Sequence, residues 1–130
     1  MFKIDQRGST PIYQQLVQQV KEAVLKGILQ PGDKLPSVRE LAVRLTMNPN
    51  TIQKSYQELE RQRVIETLRG RGTFVSLHYK PSKGKEKMSV FEEDLRNLLV
   101  EAHYLGLDRA KIMQLVGRLL EELKIGEGDS

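Results

Sequence analysis

The stretch from Ser37 to Arg63 constrains this chain most, because two short helical patterns are joined there by a tight turn and followed at once by a hairpin-like segment. The first pattern opens with Pro36, Ser37 and Glu40, where a serine cap and a glutamate three residues later satisfy each other's orphan backbone donors. Val38, Leu41, Ala42 and Leu45 then recur at helical spacing and form its buried stripe. The second pattern opens with Asn48 as cap and Pro49 at the first helical position, where a missing N–H costs nothing. Ile52, Tyr56 and Leu59, with small Ser55 between them, face the core. Asn50, Gln53, Lys54 and Gln57 are left on the outer face. Three amides and a cation on one face can form hydrogen bonds with base edges and phosphates. A polar outer face alone is what any surface helix shows, so the order of the surrounding elements has to carry the inference.

Upstream, Ser9-Thr10-Pro11 is a helix-start signal that predicts proline at the first helical position. Ile12, Leu16, Val20, Val24 and Ile28 continue as a four-residue stripe, widened by Val17 and Leu25. Gly27 and Pro31-Gly32 end that helix, and Asp33 to Pro36 is an extended link. Downstream, Val64 to Arg69 alternates as a strand, Gly70-Arg71-Gly72 turns, and Thr73 to Leu77 returns with β-branched and aromatic residues. Three helices followed by a hairpin make a winged helix-turn-helix. The expected fold is therefore mainly α with a small β-hairpin, a winged helix-turn-helix over residues 1–78.

Residues 79–88 carry Pro81, Gly84 and four lysines with little apolar content, which reads as a linker. Residues 89–125 then read as two amphipathic helices broken at Gly106-Leu107-Asp108, and residues 126–130 as a disordered tail. Phe91, Leu95, Leu98, Leu99, Ala102 and Leu105 mark the first stripe; Ile112, Leu115, Val116, Leu119 and Leu120 mark the second. A helical hairpin of that size needs a partner surface, and the same hairpin of a second chain supplies one, giving a homodimer. The alternative is that the two helices fold back onto their own winged domain.

Composition narrows the function. The chain has 130 residues and no cysteine, which removes disulfides, thiolate catalysis and cysteine-ligated zinc. His78 and His103 lie in different segments, and no metal, cofactor or catalytic constellation is suggested, so an enzyme is not expected. No apolar run approaches the roughly 20 residues of a membrane span, and the first residues lack the pattern of a signal peptide. A soluble, cytoplasmic protein is expected. The formal charge is +5 over Met1 to His78 (12 basic, 7 acidic), +3 over Tyr79 to Met88 (4 and 1) and −4 over Ser89 to Ser130 (5 and 9). A basic front suits a polyanion and an acidic back suits something else.

The motifs Pro11-Ile12-Tyr13-Gln14-Gln15-Leu16, Gly32-Asp33-Lys34-Leu35-Pro36-Ser37, Arg39-Glu40-Leu41-Ala42, Asn48-Pro49-Asn50-Thr51, Tyr56 to Arg61 and Arg69 to Val75 stand in order along the chain. With them the sequence resembles the GntR family of bacterial transcriptional regulators, and the short two-helix tail resembles its YtrA subfamily. The resemblance implies a homodimeric, sequence-specific regulator, most often a repressor. Its partner would be double-stranded DNA carrying an inverted-repeat operator, frequently that of a transporter operon.

It also implies roles. Arg39 matches the arginine that contacts the operator, and Asn48, Asn50, Thr51, Gln53 and Lys54 match the recognition helix. Asn50 and Gln53 are suited to adenine and Lys54 to backbone charge. Arg69, Gly70, Arg71 and Gly72 match the wing, where the glycines permit positive φ and Arg71 projects toward a minor groove. The chain departs from the family at Arg63, where glycine would be the usual left-handed cap. Either Arg63 adopts that conformation at a cost of roughly 1 kcal/mol or the helix ends differently. Two rival readings are a winged helix that binds an acidic protein, and a regulator whose small-molecule effector sits between tail and winged domain.

Overall fold

The computed structural model describes residues 2–79 and 84–127. The chain divides into two compact units, residues 1–80 and 81–130. The first contains helix α1 (Ile12–Leu25), strand β1 (Lys34–Leu35), helices α2 (Val38–Leu45) and α3 (Pro49–Arg61), and strands β2 (Ile65–Leu68) and β3 (Gly72–Val75). The second contains helices α4 (Lys85–Tyr104) and α5 (Arg109–Glu122).

The core of the first unit follows the apolar stripes. Leu16 and Val20 of α1, Leu41 and Ala42 of α2, and Ile52, Tyr56 and Leu59 of α3 are buried together with Leu35, Ile65 and Val75 of the sheet. Leu16, Ile52 and Leu59 are wholly enclosed, and each such side chain contributes about 1.5–3 kcal/mol by leaving water. Ser55 is also wholly buried, which its hydroxyl tolerates because Oγ lies 3.0 Å from the Tyr13 carbonyl oxygen and 3.1 Å from that of Thr51. The small serine thus lets α3 approach α1 and fastens the two together.

Both ends of the helix-turn-helix are set by local chemistry. Ser37 Oγ accepts from the Glu40 N–H at 3.0 Å while Glu40 Oε1 accepts from the Ser37 N–H at 3.2 Å, the reciprocal cap expected for α2. Those bonds, the Ser37 backbone N–H foremost, hold the Glu40 carboxyl below its ordinary pKa. Asn48 Oδ1 accepts from the Asn50 N–H at 2.8 Å, and Pro49 opens α3. Between them α2 ends on Thr46 with φ 54, and the Met47 N–H reaches back to the Ala42 oxygen at 2.9 Å. A β-branched residue in the left-handed region is strained; Met47 compensates by packing on the core.

Arg63 resolves as the left-handed cap, with φ 62. The Arg63 N–H donates to Glu60 O and the Val64 N–H to Leu59 O, both at 2.9 Å, and Val64 is buried beside Leu59. This is the pair of bonds that glycine normally supports at a helix end, built here on arginine.

In the first unit the structure corrects the sequence reading at Pro11, at the end of α1, where Leu25 is also exposed, and at β1. Pro11 is the cap of α1 and not its first helical residue, and no side chain caps it. Ile28 does not extend the buried stripe, because α1 stops at Leu25 and the chain turns back to Ala23 O; Ile28 is exposed and Leu29 is buried in its place. Strand β1 belongs to a three-stranded antiparallel sheet of order β1-β3-β2, where only an extended link was expected. Lys34 pairs with Phe74 and Leu35 with Thr73.

The residues before α1 run along that helix and are held by two glutamines one turn apart. Gln15 Oε1 accepts from the Asp5 N–H at 2.8 Å while its Nε2 donates to Asp5 O at 2.7 Å. Gln19 repeats the arrangement with the backbone of Lys3. Each amide substitutes for a neighbouring strand, and Phe2 and Ile4 pack on the core.

In the second unit α4 starts at Lys85, inside the stretch read as linker. Gly84 is its cap, and Lys85, Glu86, Lys87 and Met88 are strong helix formers. The rest of that linker, residues 80–83, and residues 128–130 of the expected disordered tail lie outside the described residues. Asp108 caps α5 by accepting from the Lys111 N–H at 2.9 Å, as expected. No described residue of α4 or α5 is buried. Phe91, Leu95, Leu98, Leu99, Leu105, Leu115, Val116, Leu119 and Leu120 are exposed, and Ala102 and Ile112 are half-buried.

Candidate nucleic-acid interface

Helix α3 separates its faces as its spacing requires. Ile52, Ser55, Tyr56 and Leu59 are buried, while Asn50, Gln53, Lys54 and Gln57 are exposed and Thr51 is half-buried. The outer row is held rigidly from beneath. Tyr56 donates its hydroxyl to the Pro36 carbonyl oxygen at 2.7 Å, which ties α3 to the residue preceding the α2 cap. Burial foremost, and then the Glu40 carboxylate, pushes the Tyr56 hydroxyl pKa up to about 12. Asn48 is exposed at the head of the row with its Oδ1 committed to the cap.

Arg39 is exposed on the first turn of α2. Among the described residues it pairs with no carboxylate, which distinguishes it from Arg44, which lies 4.0 Å from Glu40, and from Arg61, bound to Glu58 by two hydrogen bonds. An exposed arginine with no internal partner keeps its planar fork of donors for an external acceptor.

The hairpin of β2 and β3 is in the register Ile65 with Val75, Glu66 with Phe74, Thr67 with Thr73 and Leu68 with Gly72. Arg69, Gly70 and Arg71 form its tip, closed by the Arg71 N–H donating to Leu68 O at 2.9 Å. Gly70 has φ 79 and Gly72 φ 120, so both glycines supply the conformations the turn demands. Arg69 and Arg71 are exposed and have no carboxylate partner among the described residues. Thr67 Oγ1 donates to Glu60 Oε1 at 2.7 Å, fixing the hairpin to α3.

Two neighbours of these residues escape a reading of the sequence. Lys34 is brought to the hairpin by the pairing of β1 with β3, and its Cε lies 3.0 Å from where a Cβ on Gly72 would stand. Tyr13 of α1 lies beneath Lys54, whose Nζ is 4.0 Å from the ring centroid. Both contacts join distant segments. For Lys34 the only available signal was the extended Asp33-Lys34-Leu35-Pro36 link.

An outward amide row on a capped helix, an unpaired arginine on the helix before it and a glycine-tipped basic hairpin bonded to the capped helix define a winged helix-turn-helix of the DNA-binding class. Comparison with known proteins agrees and is more specific. Residues 12–75 match the family described as bacterial regulatory proteins, gntR family. The chain is 50% identical over 127 residues to the HTH-type transcriptional repressor YtrA of Bacillus subtilis, covering 98% of each. The crystal structure of a transcriptional antiterminator from Listeria monocytogenes EGD-e superposes with a TM-score of 0.85 at 41% identity, covering 100% of this chain and 96% of that one. The DNA-binding domain of AraR in complex with operator ORX1 matches with a TM-score of 0.52 at 25% identity, over 58% of this chain and 96% of that one. The chain belongs to the GntR family of bacterial regulators, within its YtrA-like branch, and is a transcriptional regulator and not an enzyme. No helix among the described residues is long and apolar enough to cross a membrane.

Proposed function

We propose that this chain represses transcription in the cytoplasm by binding, as a homodimer, an inverted-repeat operator in double-stranded DNA, such as that of a transporter operon. Each α3 lies in a major groove, where Asn50 and Gln53 meet base edges and Thr51 and Lys54 meet the backbone. Arg39 reaches the same duplex from α2, and Arg71, with Arg69 beside it, enters the adjacent minor groove from the wing. Half-sites are spaced by about one helical turn or a multiple of it. The observation that carries this reading is the division of α3, four residues sealed inside and an amide-and-lysine row outside. The repressor named among its relatives and the operator complex of AraR support it.

Dimerisation falls to α4 and α5, whose exposed leucines need a surface to cover them. A second copy of the same pair provides one of matching shape and composition.

The test is charge reversal at Arg39 and at Arg71, measured by gel shift on the chain's own promoter region with sedimentation as a control. Each variant loses binding and remains a dimer. Normal binding by both would remove the DNA-facing assignment and favour the protein-binding alternative.

A second reading, a small-molecule effector, is favoured by an apolar cleft of about 330 Å³ within the winged unit, walled by Val24, Leu25, Pro31, Val64, Val75 and Leu77 with Lys21 and Tyr79 at its polar points. Unchanged melting temperature across a panel of transporter substrates and antibiotics would count against it.

A further inference from the structure

We propose that Tyr13 is a positioning residue for operator binding. Its ring holds the Lys54 ammonium at the border of the α3 outer face, ready for a DNA phosphate. The inference rests on the DNA-binding reading above and extends the interface onto α1.

The geometry supports it in three respects. Lys54 Nζ stands 4.0 Å from the centroid of the Tyr13 ring, well inside the roughly 6 Å over which a cation is attracted to an aromatic face. The platform is itself fixed to the recognition helix, because the Tyr13 carbonyl oxygen lies 3.0 Å from Oγ of the wholly buried Ser55, the residue next to Lys54. At the other end of the side chain, Gln14 Nε2 donates to the Tyr13 hydroxyl at 3.1 Å.

The chemistry follows from what a lysine needs at such a place. A free lysine samples many rotamers and loses that freedom when it meets a phosphate. An ammonium already resting on a ring has lost part of it, and the ring engages only one side of the cation. The remaining N–H donors stay directed at solvent, and Lys54 is exposed with no carboxylate partner among the described residues. A tyrosine on α1 thereby converts a mobile charge on α3 into a fixed one.

The experiment measures binding of the full chain to a fluorescein-labelled duplex of its own promoter region across a series of salt concentrations. The variants are Tyr13→Leu, Tyr13→Phe, Lys54→Met and the double variant Tyr13→Leu with Lys54→Met, each checked by thermal melting. Lys54→Met lowers the slope of log affinity against log salt by about 0.9 for each phosphate that Lys54 neutralises. Tyr13→Leu weakens binding by about two- to fivefold at each half-site, the conversion of an exposed cation–π contact into affinity. Tyr13→Phe, which keeps the ring, restores the parent affinity. In the Lys54→Met background Tyr13→Leu has no further effect.

Parent affinity in Tyr13→Leu overturns the proposal. So does an undiminished effect of Tyr13→Leu in the double variant, which would mean that Tyr13 acts by itself or through the packing of α1. An unchanged salt slope in Lys54→Met removes Lys54 from the phosphate-binding groups and the proposal with it. The Arg39 and Arg71 variants then report separately on whether the chain binds DNA with this face at all.

Discussion

The Tyr56 hydroxyl donates to the Pro36 carbonyl oxygen across 2.7 Å, so the buried side of the recognition helix is bonded to the residue that precedes the α2 cap. This bond links the two halves of the helix-turn-helix beneath the surface that carries Arg39 and Asn50. Tyr56→Phe keeps the packing and leaves the carbonyl without its partner, and unfolding in urea is expected to report a loss of about 1 kcal/mol. The pH dependence has a definite sign. The folded pKa, about 12, lies above the unfolded value near 10, so the stabilisation is complete below pH 10 and is lost as pH rises toward 12. The phenylalanine variant lacks that decline.

Arg63 and Thr46 occupy left-handed positions that glycine adopts without penalty. Arg63→Gly is expected to stabilise the winged unit by about 0.5–1 kcal/mol, read as a rise in melting temperature. Thr46→Gly acts in the same direction because a β-branched residue is the more strained of the two. A fall in melting temperature for Arg63→Gly would show that its side chain contributes more than its backbone costs.

Glu58 gives the acid side of the profile. Hydrogen bonds from Arg61 and then Gln62 lower its pKa from 4.5 to about 2, and Gln62 also accepts from Lys21 Nζ of α1 at 2.7 Å. With the folded pKa depressed, the contribution is complete above pH 4.5 and disappears as pH falls toward 2. Urea midpoints measured at pH 5 and pH 3 are expected to differ less in Glu58→Gln than in the parent chain.

How much of this was legible in the sequence depends on the range of the interaction responsible. The caps Ser37, Asn48 and Asp108 act over two or three residues, and the structure forms all three as their spacing implies. The split faces of α3 follow from helical period alone. Strand β1 escaped notice because two residues carry no period, and its pairing depends on Phe74 and Thr73 far along the chain. Nothing local to Gln15 and Gln19 says that their amides will bond the backbone of Asp5 and Lys3. Lysine content marked residues 85–88 as linker, yet lysine is also a good helix former, and Gly84 starts the helix there. Of the candidate interface, the outward row of α3 and the hairpin tip were readable as positions, and the Tyr13 ring under Lys54 was not, because it joins α1 to α3.

The exposed leucines of α4 and α5 make a separate prediction. Leu95→Glu combined with Leu119→Glu places charge in both apolar faces, and sedimentation is expected to find a dimer for the parent and a monomer for the double variant. Operator affinity falls with it, since two half-sites are then no longer bound together, while the melting of the winged unit is unchanged. A dimer that persists in the double variant would move the dimer interface away from these helices.

Selection of bound sequences from a random duplex library by the full chain decides whether the α3 row, Arg39 and the wing read one duplex as a two-fold pair. The expected result is enrichment of an inverted repeat whose half-sites are about one helical turn apart or a multiple of it, with Asn50→Ala and Gln53→Ala relaxing the selected bases. Enrichment of no sequence, or of one that survives unchanged in both of those variants, would contradict it.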